Sequence, residues 1–105
     1  MKLDIKQDVL TVKHGGCSLP ISLACPEFAF EGETVGGNSP LQIKGDAAAG
    51  KQVEMDFAPI PLSGGGQFDV KLFVKWSPKE HVLRKWASFR LVNSDTAPLL
   101  REVIL

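Results

Sequence analysis

The sequence predicts an all-β protein: an antiparallel β-sandwich, immunoglobulin-like or jelly-roll-like, with about eight strands. Apolar residues recur at every second position through most of the chain, which is the period of a strand with one buried face. Glycine-rich segments separate these runs at short intervals, as the turns of a sandwich do. Helical periodicity is nearly absent. Since 105 residues suit one domain, we expect residues 1–105 to form a single sandwich.

The alternating runs define the predicted strands in chain order. In the run 53–57, Val53 and Met55 alternate with Glu54 and Asp56, so one face is apolar and the other acidic. The earlier runs are 3–5, 10–12, 17–23, 28–30 and 41–43, and the glycine-rich breakers lie at 15–16, 36–37, 45–50 and 64–66. Only 47–49 and the stretch around Glu80 have a composition that suits a helical turn.

The last third of the chain is predicted to form a long hairpin. Residues 68–76 alternate almost perfectly, 77–80 has the composition of a turn, and 81–92 is the predicted returning strand. This turn brings apolar residues together on the inner face, pairing Val74 with Leu83, Val70 with Ala87, and Phe68 with Phe89. Leu72 opposite Lys85 is the one mismatch. Trp76 falls in line with Val70, Leu72 and Val74, so we expect it to belong to the core.

A final strand is predicted over 99–105. It is apolar on both faces, which is typical of a central strand or of one covered by another domain.

The outer face of the hairpin is predicted to carry aromatic rings among cations. The same register places Lys71 opposite Trp86, Phe73 opposite Arg84, Asp69 opposite Ser88 and Lys75 opposite Val82, with Arg90 continuing the row. An outward indole offers a flat apolar surface on which a sugar can stack, while flanking polar groups bind its hydroxyls. The predicted carbohydrate-binding residues are therefore Trp86, Phe73, Arg84, Lys71, Arg90 and Ser88. The alternative is that Trp86 packs under a neighbouring domain or is shielded by the stems of Lys71 and Arg90.

Charge and hydropathy exclude several function classes. Lys and Arg number 12, and Asp and Glu number 12, so the basic excess that usually drives nucleic-acid binding is missing and no nucleic-acid partner is expected. No apolar run approaches the roughly 20 residues that span a bilayer. The charged first residues resemble neither a secretory nor a transit segment. We therefore expect a soluble domain with no membrane partner.

No pattern of catalytic residues is present, so we do not expect an enzyme. His14 and His81 each lie beside a predicted turn in a charged context, where an inert, exposed imidazole is expected rather than a catalytic base. Residues 64–66 lack the lysine and the following helix that a phosphate cradle requires. Glu54 and Asp56 share one strand face about 6.6 Å apart. A glycosidase pair can have that spacing, but a solvated strand face is the favoured interpretation.

The cysteines and histidines lack the close spacings of a zinc site, and we expect no metal and no cofactor. The alternative is a structural calcium ion held by loop carbonyls with Asp46 or Asp95. In one extended strand, Cys17 and Cys25 would lie about 26 Å apart, whereas a disulfide needs Cα atoms within about 7 Å. Unless Pro20 bends this segment tightly, both residues are expected to be buried free thiols.

The end of the chain resembles part of a known family. Residues 82–93, VLRKWASFRLVN, followed by 98–105, PLLREVIL, are similar to the amino-terminal β-sandwich that precedes the catalytic barrel in bacterial α-galactosidase-like and six-hairpin glycoside hydrolases. There, a strand carrying R-K-W leads through an N-x-x-x-x-P turn into another apolar strand. The similar part is about a quarter of the chain.

This resemblance implies an accessory domain without catalytic residues. Its expected partners are a polysaccharide or oligosaccharide and an adjoining catalytic domain, and its expected location is extracellular or periplasmic. The abrupt apolar ending at 101–105 indicates a domain from a longer protein. The competing hypothesis is an immunoglobulin-like structural or protein-interaction domain, in which the Trp86 face or an open edge strand meets a partner.

Overall fold

The computed structural model describes residues 2–45, 50–77, 79, 82–92 and 100–104, without the side chains of Lys2 and His14. Eleven strands form three antiparallel sheets within these ranges. The all-β, sandwich-like fold class is therefore confirmed. No helix in the described ranges is long and apolar enough to cross a bilayer.

The first sheet is an amino-terminal meander, and the second contains the long hairpin. The first sheet consists of β1 (Lys2–Lys6), β2 (Val9–His14) and β3 (Cys17–Ser22), in that order. The second has the order β10 (Val82–Val92), β9 (Gln67–Ser77), β7 (Gln52–Asp56) and β6 (Gln42–Gly45), with β8 (Ile60–Pro61) also paired to β9. The third has the order β11 (Leu100–Ile104), β4 (Glu27–Phe30) and β5 (Glu33–Val35).

Two of the eleven strands were not predicted from the sequence. The strand β5 has three residues and β8 has two. An alternation of period two needs about four residues to be recognisable, so segments this short give no signal. They form because β4 and β9 supply backbone partners for them.

The core lies between the second and third sheets. The inner residues of β7 and β9 alternate with outward residues that are polar except for Phe73, and Met55 and Leu72 have no exposed surface. They pack in one cluster with Phe28 and Phe30 from β4. Burying such a side chain contributes roughly 1.5–3 kcal/mol relative to leaving it in water.

The amino-terminal sheet joins this core at one end only. One of its faces is apolar, formed by Leu3, Ile5, Leu10, Val12, Leu19 and Ile21. Burial along this face is graded, from Leu10 at 2% exposed to Leu19 at 57% exposed. The molecule is accordingly elongated, with principal extents of 50 × 23 × 22 Å.

The predicted hairpin is present, but the predicted register is wrong by two residues. Pairing between β9 and β10 extends to Ser77 opposite Val82, so the turn lies one residue later than predicted. Moving the turn by one residue displaces every cross-strand partner by two, which keeps each side chain on its predicted face. The inner pairs are Trp76 with Leu83, Val74 with Lys85, Leu72 with Ala87, Val70 with Phe89, and Phe68 with Leu91. The outer pairs are Lys75 with Arg84, Phe73 with Trp86, Lys71 with Ser88, and Asp69 with Arg90.

Two burial predictions also need correction. Trp76 lies on the inner face but is only half-buried and outside the buried cluster, because it is next to the last residue of β9. Cys17 is exposed, whereas Cys25 is buried and both thiols are free. The cysteines do not share one strand, since β3 ends at Ser22.

The last strand is an edge strand rather than a central one. Among the described strands β11 pairs only with β4, and Ile104 is 53% exposed. Several other predictions fall outside the described residues: the helical turns at 47–49 and around Glu80, the calcium alternatives at Asp46 and Asp95, and the exposure of the His14 and His81 side chains.

Candidate ligand-binding face

The candidate site is the outer face of the second sheet, which we define as the surface turned away from the core. Three adjacent strands build it, because alternate residues of each strand point outward. Reading across the strands from β7 through β9 to β10, one row holds Glu54, Phe73 and Trp86, and the next holds Asp56, Lys71 and Ser88. Asp69 and Arg90 form a third row on β9 and β10.

Phe73 and Trp86 form a cross-strand aromatic pair at the centre of this face. Their ring centroids are 5.4 Å apart and their planes are inclined by 14°. Trp86 is 37% exposed, so the prediction that its indole points outward is confirmed. Aromatic pairs in this geometry contribute about 0.5–1.5 kcal/mol beyond their buried area, which fixes the indole as a flat platform on the sheet.

Ion pairs position the charged groups beside this platform. Lys44 Nζ lies 2.7 Å from Asp56 Oδ2, and Lys71 Nζ lies 3.9 Å from both Glu54 Oε2 and Asp56 Oδ1. The hydrogen bond from Lys44 lowers the pKa of Asp56 and raises the pKa of Lys44 itself. Both groups therefore stay charged at neutral pH.

The third row is held in the same way. Arg90 Nη2 lies 3.7 Å from Asp69 Oδ2, and Gln67 Nε2 donates a hydrogen bond of 3.2 Å to Asp69 Oδ1. At the other end of the face, Arg84 Nη1 donates a hydrogen bond of 3.3 Å to Ser77 Oγ. These contacts orient donors and acceptors before any ligand arrives.

A cleft of about 570 Å³ opens beside the second and third rows. Its polar lining consists of Asp56, Gln67, Asp69, Lys71, Ser88 and Arg90. The Oδ1 atom of Asp56 is buried and accepts no hydrogen bond from the residues that the structure describes. Its charge is balanced by Lys71 Nζ, which lies 3.9 Å away.

The structure places all six predicted site residues on one surface. Lys71, Ser88 and Arg90 line the cleft, Phe73 and Trp86 form the platform, and Arg84 lies on the far side of Trp86. Their use by a ligand stays a prediction.

Sequence reasoning missed the contribution of β7 and of the segments beside it. The alternation in 52–56 does put Glu54 and Asp56 on an outward face, but no local signal says that β7 lies next to β9. Lys44, which lies on β6 beside β7 and pairs with Asp56, was missed for the same reason.

No family model, curated protein or solved structure matches the chain. Within the described ranges, no group of three or more His, Cys, Asp or Glu residues could hold a metal ion. The interpretation of the outer face therefore rests on its own chemistry.

Proposed function

We propose that this chain is a non-catalytic carbohydrate-binding or carbohydrate-associated accessory module that binds glycan on its outer face. The observation that carries the proposal is the exposed indole of Trp86, stacked on Phe73 and followed along the strand by a cleft with both polar and apolar lining residues. Flat sheet surfaces of this kind suit a ligand that is itself flat and amphipathic.

Both chemical faces of a sugar have a counterpart here. The apolar C–H face of a pyranose ring stacks on Trp86, while its hydroxyl groups reach Asp56, Lys71 and Ser88. From Trp86 to Arg90 the face extends about 13 Å at 3.3 Å per residue, which is longer than one sugar ring. The ligand class is accordingly an oligosaccharide or polysaccharide chain that lies along β10.

The association with glycoside hydrolases belongs to the same proposal. It is supported by the resemblance of residues 82–105 to the sandwich domains of those enzymes. The adjoining partner would be a catalytic domain. The protein would act outside the cell or in the periplasm, where polysaccharide substrates occur.

Affinity electrophoresis and isothermal titration with a panel of soluble polysaccharides test this function. We expect at least one glycan to bind with a Kd of about the millimolar range. The affinity should be this weak because such platforms desolvate few groups. Trp86→Ala should weaken that binding at least tenfold, which corresponds to about 1.4 kcal/mol.

Leu19→Ala is the matched control, since Leu19 is an exposed apolar residue on a different sheet. It should leave the affinity unchanged, and both variants should keep the thermal transition of the parent. If no polysaccharide binds at millimolar concentration, or if Trp86→Ala binds as tightly as the parent protein, this function is wrong.

A further inference from the structure

The long strand β10 forms one edge of the second sheet. It has 11 residues and pairs with β9 along its whole length. In the part of the chain that the structure describes, no strand pairs with its other side. An edge of this length presents a row of backbone N–H and C=O groups that can template a further strand.

Charge on β10 has one sign only. Its sequence, VLRKWASFRLV, contains three cations and no carboxylate. Arg84 and Arg90 lie on the outer face, and Lys85 lies on the inner face opposite Val74. An added strand would therefore meet cationic side chains on both of its faces, although Arg90 already pairs with Asp69.

Lys85 decides which strands the edge can accept. It lines a cleft of about 240 Å³ together with Cys25, Glu27 and Ile104, among other residues. Its side chain makes no ion pair or hydrogen bond with the described residues, and partial burial lowers its pKa. An inward-pointing lysine on an edge strand repels an all-apolar strand. A carboxylate at the facing position would instead pair with it.

The remainder of the inner row is apolar. Phe89 is 43% exposed, and its ring centroid lies 5.1 Å from that of Phe28 and 5.4 Å from that of Phe68. It lines a second cleft of about 240 Å³ with Leu91 and Leu100. An added strand can bury apolar side chains here while its backbone pairs with β10.

A second copy of this chain does not fit the edge. Antiparallel pairing of two β10 strands along their full length places Arg84 of each opposite Arg90 of the other. It also gives Lys85 no carboxylate partner, because β10 contains none. Like charges directly opposite one another destabilise a strand pair, so the charge pattern favours a different, acidic partner.

We propose that the free edge of β10 docks an extended acidic peptide from another polypeptide, which adds to the second sheet as a new strand. Carboxylates of this peptide meet Arg84, Lys85 and Arg90, and its apolar side chains cover Ala87, Phe89 and Leu91. This is strand addition, in which backbone hydrogen bonds give affinity and alternate side chains give specificity.

The probe is a fluorescein-labelled peptide, VEVTVTEE, amidated at its carboxyl end and written to run antiparallel to residues 91–84. Its seventh residue faces Lys85, and its inward valines face Leu91, Phe89 and Ala87. Fluorescence anisotropy should show saturable binding of this peptide to the full chain. The lysine counterpart VKVTVTKK should bind at least tenfold more weakly.

A charge swap tests the inward lysine. Lys85→Glu should weaken binding of VEVTVTEE at least tenfold and should improve binding of VEVTVTKE, in which the facing residue is lysine. Lys13→Glu changes the net charge equally but lies on the amino-terminal sheet. It should leave both affinities unchanged.

Backbone methylation separates strand addition from side-chain attraction. Methylating the amide nitrogens of every second residue of VEVTVTEE should abolish binding for one of the two alternating sets and spare it for the other. The proposal is overturned if both methylated sets bind alike, if both peptide charges bind alike, or if Lys85→Glu has no effect. Dimerisation through β10 in the absence of peptide would overturn it as well.

Discussion

At the scale of the residue, the two cysteines differ because β3 ends between them. Cys17 begins this strand and is exposed, whereas Cys25 lies in the core, where burial raises the pKa of its thiol from 9.0 to about 11. The backbone N–H of Gly37 donates to the Cys25 carbonyl oxygen at 2.9 Å, which helps to fix this segment. The local sequence shows no such difference, since both thiols have small or apolar neighbours.

The raised pKa predicts how stability depends on pH. The unfolded chain releases the Cys25 proton near pH 9, while the folded chain holds it to about pH 11. The unfolded state therefore binds fewer protons in this window, so the free energy of unfolding should fall as pH rises from about 9 to 11. Below pH 9 this group has no effect on the pH dependence. Urea denaturation at intervals from pH 8 to pH 10.5 measures the trend.

The control compares the slope of the free energy of unfolding against pH, rather than the free energy itself, between variants. Cys25→Ala should remove this part of the pH dependence, and Cys17→Ala should retain it. Equal slopes for the parent and the Cys25→Ala variant would show that the thiol is not protected by burial.

Single-residue predictions succeeded where alternation alone decides. Trp86 points outward as predicted, because a period of two assigns faces without knowledge of any partner. Trp76 shares the predicted inner face but is only half-buried. Its position near the end of β9 lies beyond the part of the sheet that the core covers. The alternating pattern does not show how far along β9 the opposite sheet extends.

At the scale of the element, the β9–β10 hairpin shows what a sequence pattern leaves open. A slip of one residue would move every side chain to the other face, whereas a slip of two preserves all faces. The alternation of 68–76 and 82–92 therefore tolerates both the predicted and the observed register. Only the position of the turn distinguishes them, and the structure pairs Ser77 with Val82.

Cross-strand disulfides measure this register. In a Cys17→Ser background, Lys71→Cys with Ser88→Cys should form a disulfide on mild oxidation, because these residues are directly opposite and paired Cα atoms lie within bonding range. Lys71→Cys with Trp86→Cys, the pair that the sequence pattern predicted, should stay reduced under the same conditions. Mass spectrometry after alkylation reads the result. The reverse pattern would contradict the register.

At the scale of the whole molecule, the shape follows from how little of the first sheet the core covers. The Cα radius of gyration is 15.4 Å, compared with about 13 Å for a compact domain of this length. The difference arises because β1, β2 and β3 contribute only Leu10 to the buried cluster, with Leu3, Ile5 and Ile21 packed against it. The distal part of their apolar face, near Leu19, extends beyond it.

Small-angle X-ray scattering tests this arrangement. We expect a radius of gyration at or slightly above 15.4 Å. The pair-distance distribution should extend to about 50 Å, the longest principal extent of the molecule. A concentration series distinguishes self-association from elongation of the monomer, since a dimer would raise the scattering at zero angle. A value near 13 Å would mean that the amino-terminal sheet folds back onto the sandwich.

The sequence by itself determined the fold class, most of the strands and the face on which each hairpin side chain lies. These follow from a period of two and from glycine-rich breaks, which are local properties of the chain. The tertiary structure alone decided that β7 lies beside β9, that Phe73 faces Trp86, and that β10 and β11 are edge strands among the strands that the structure describes. Strand order and register depend on contacts between residues distant in sequence. An alternating pattern is equally compatible with several strand orders and registers.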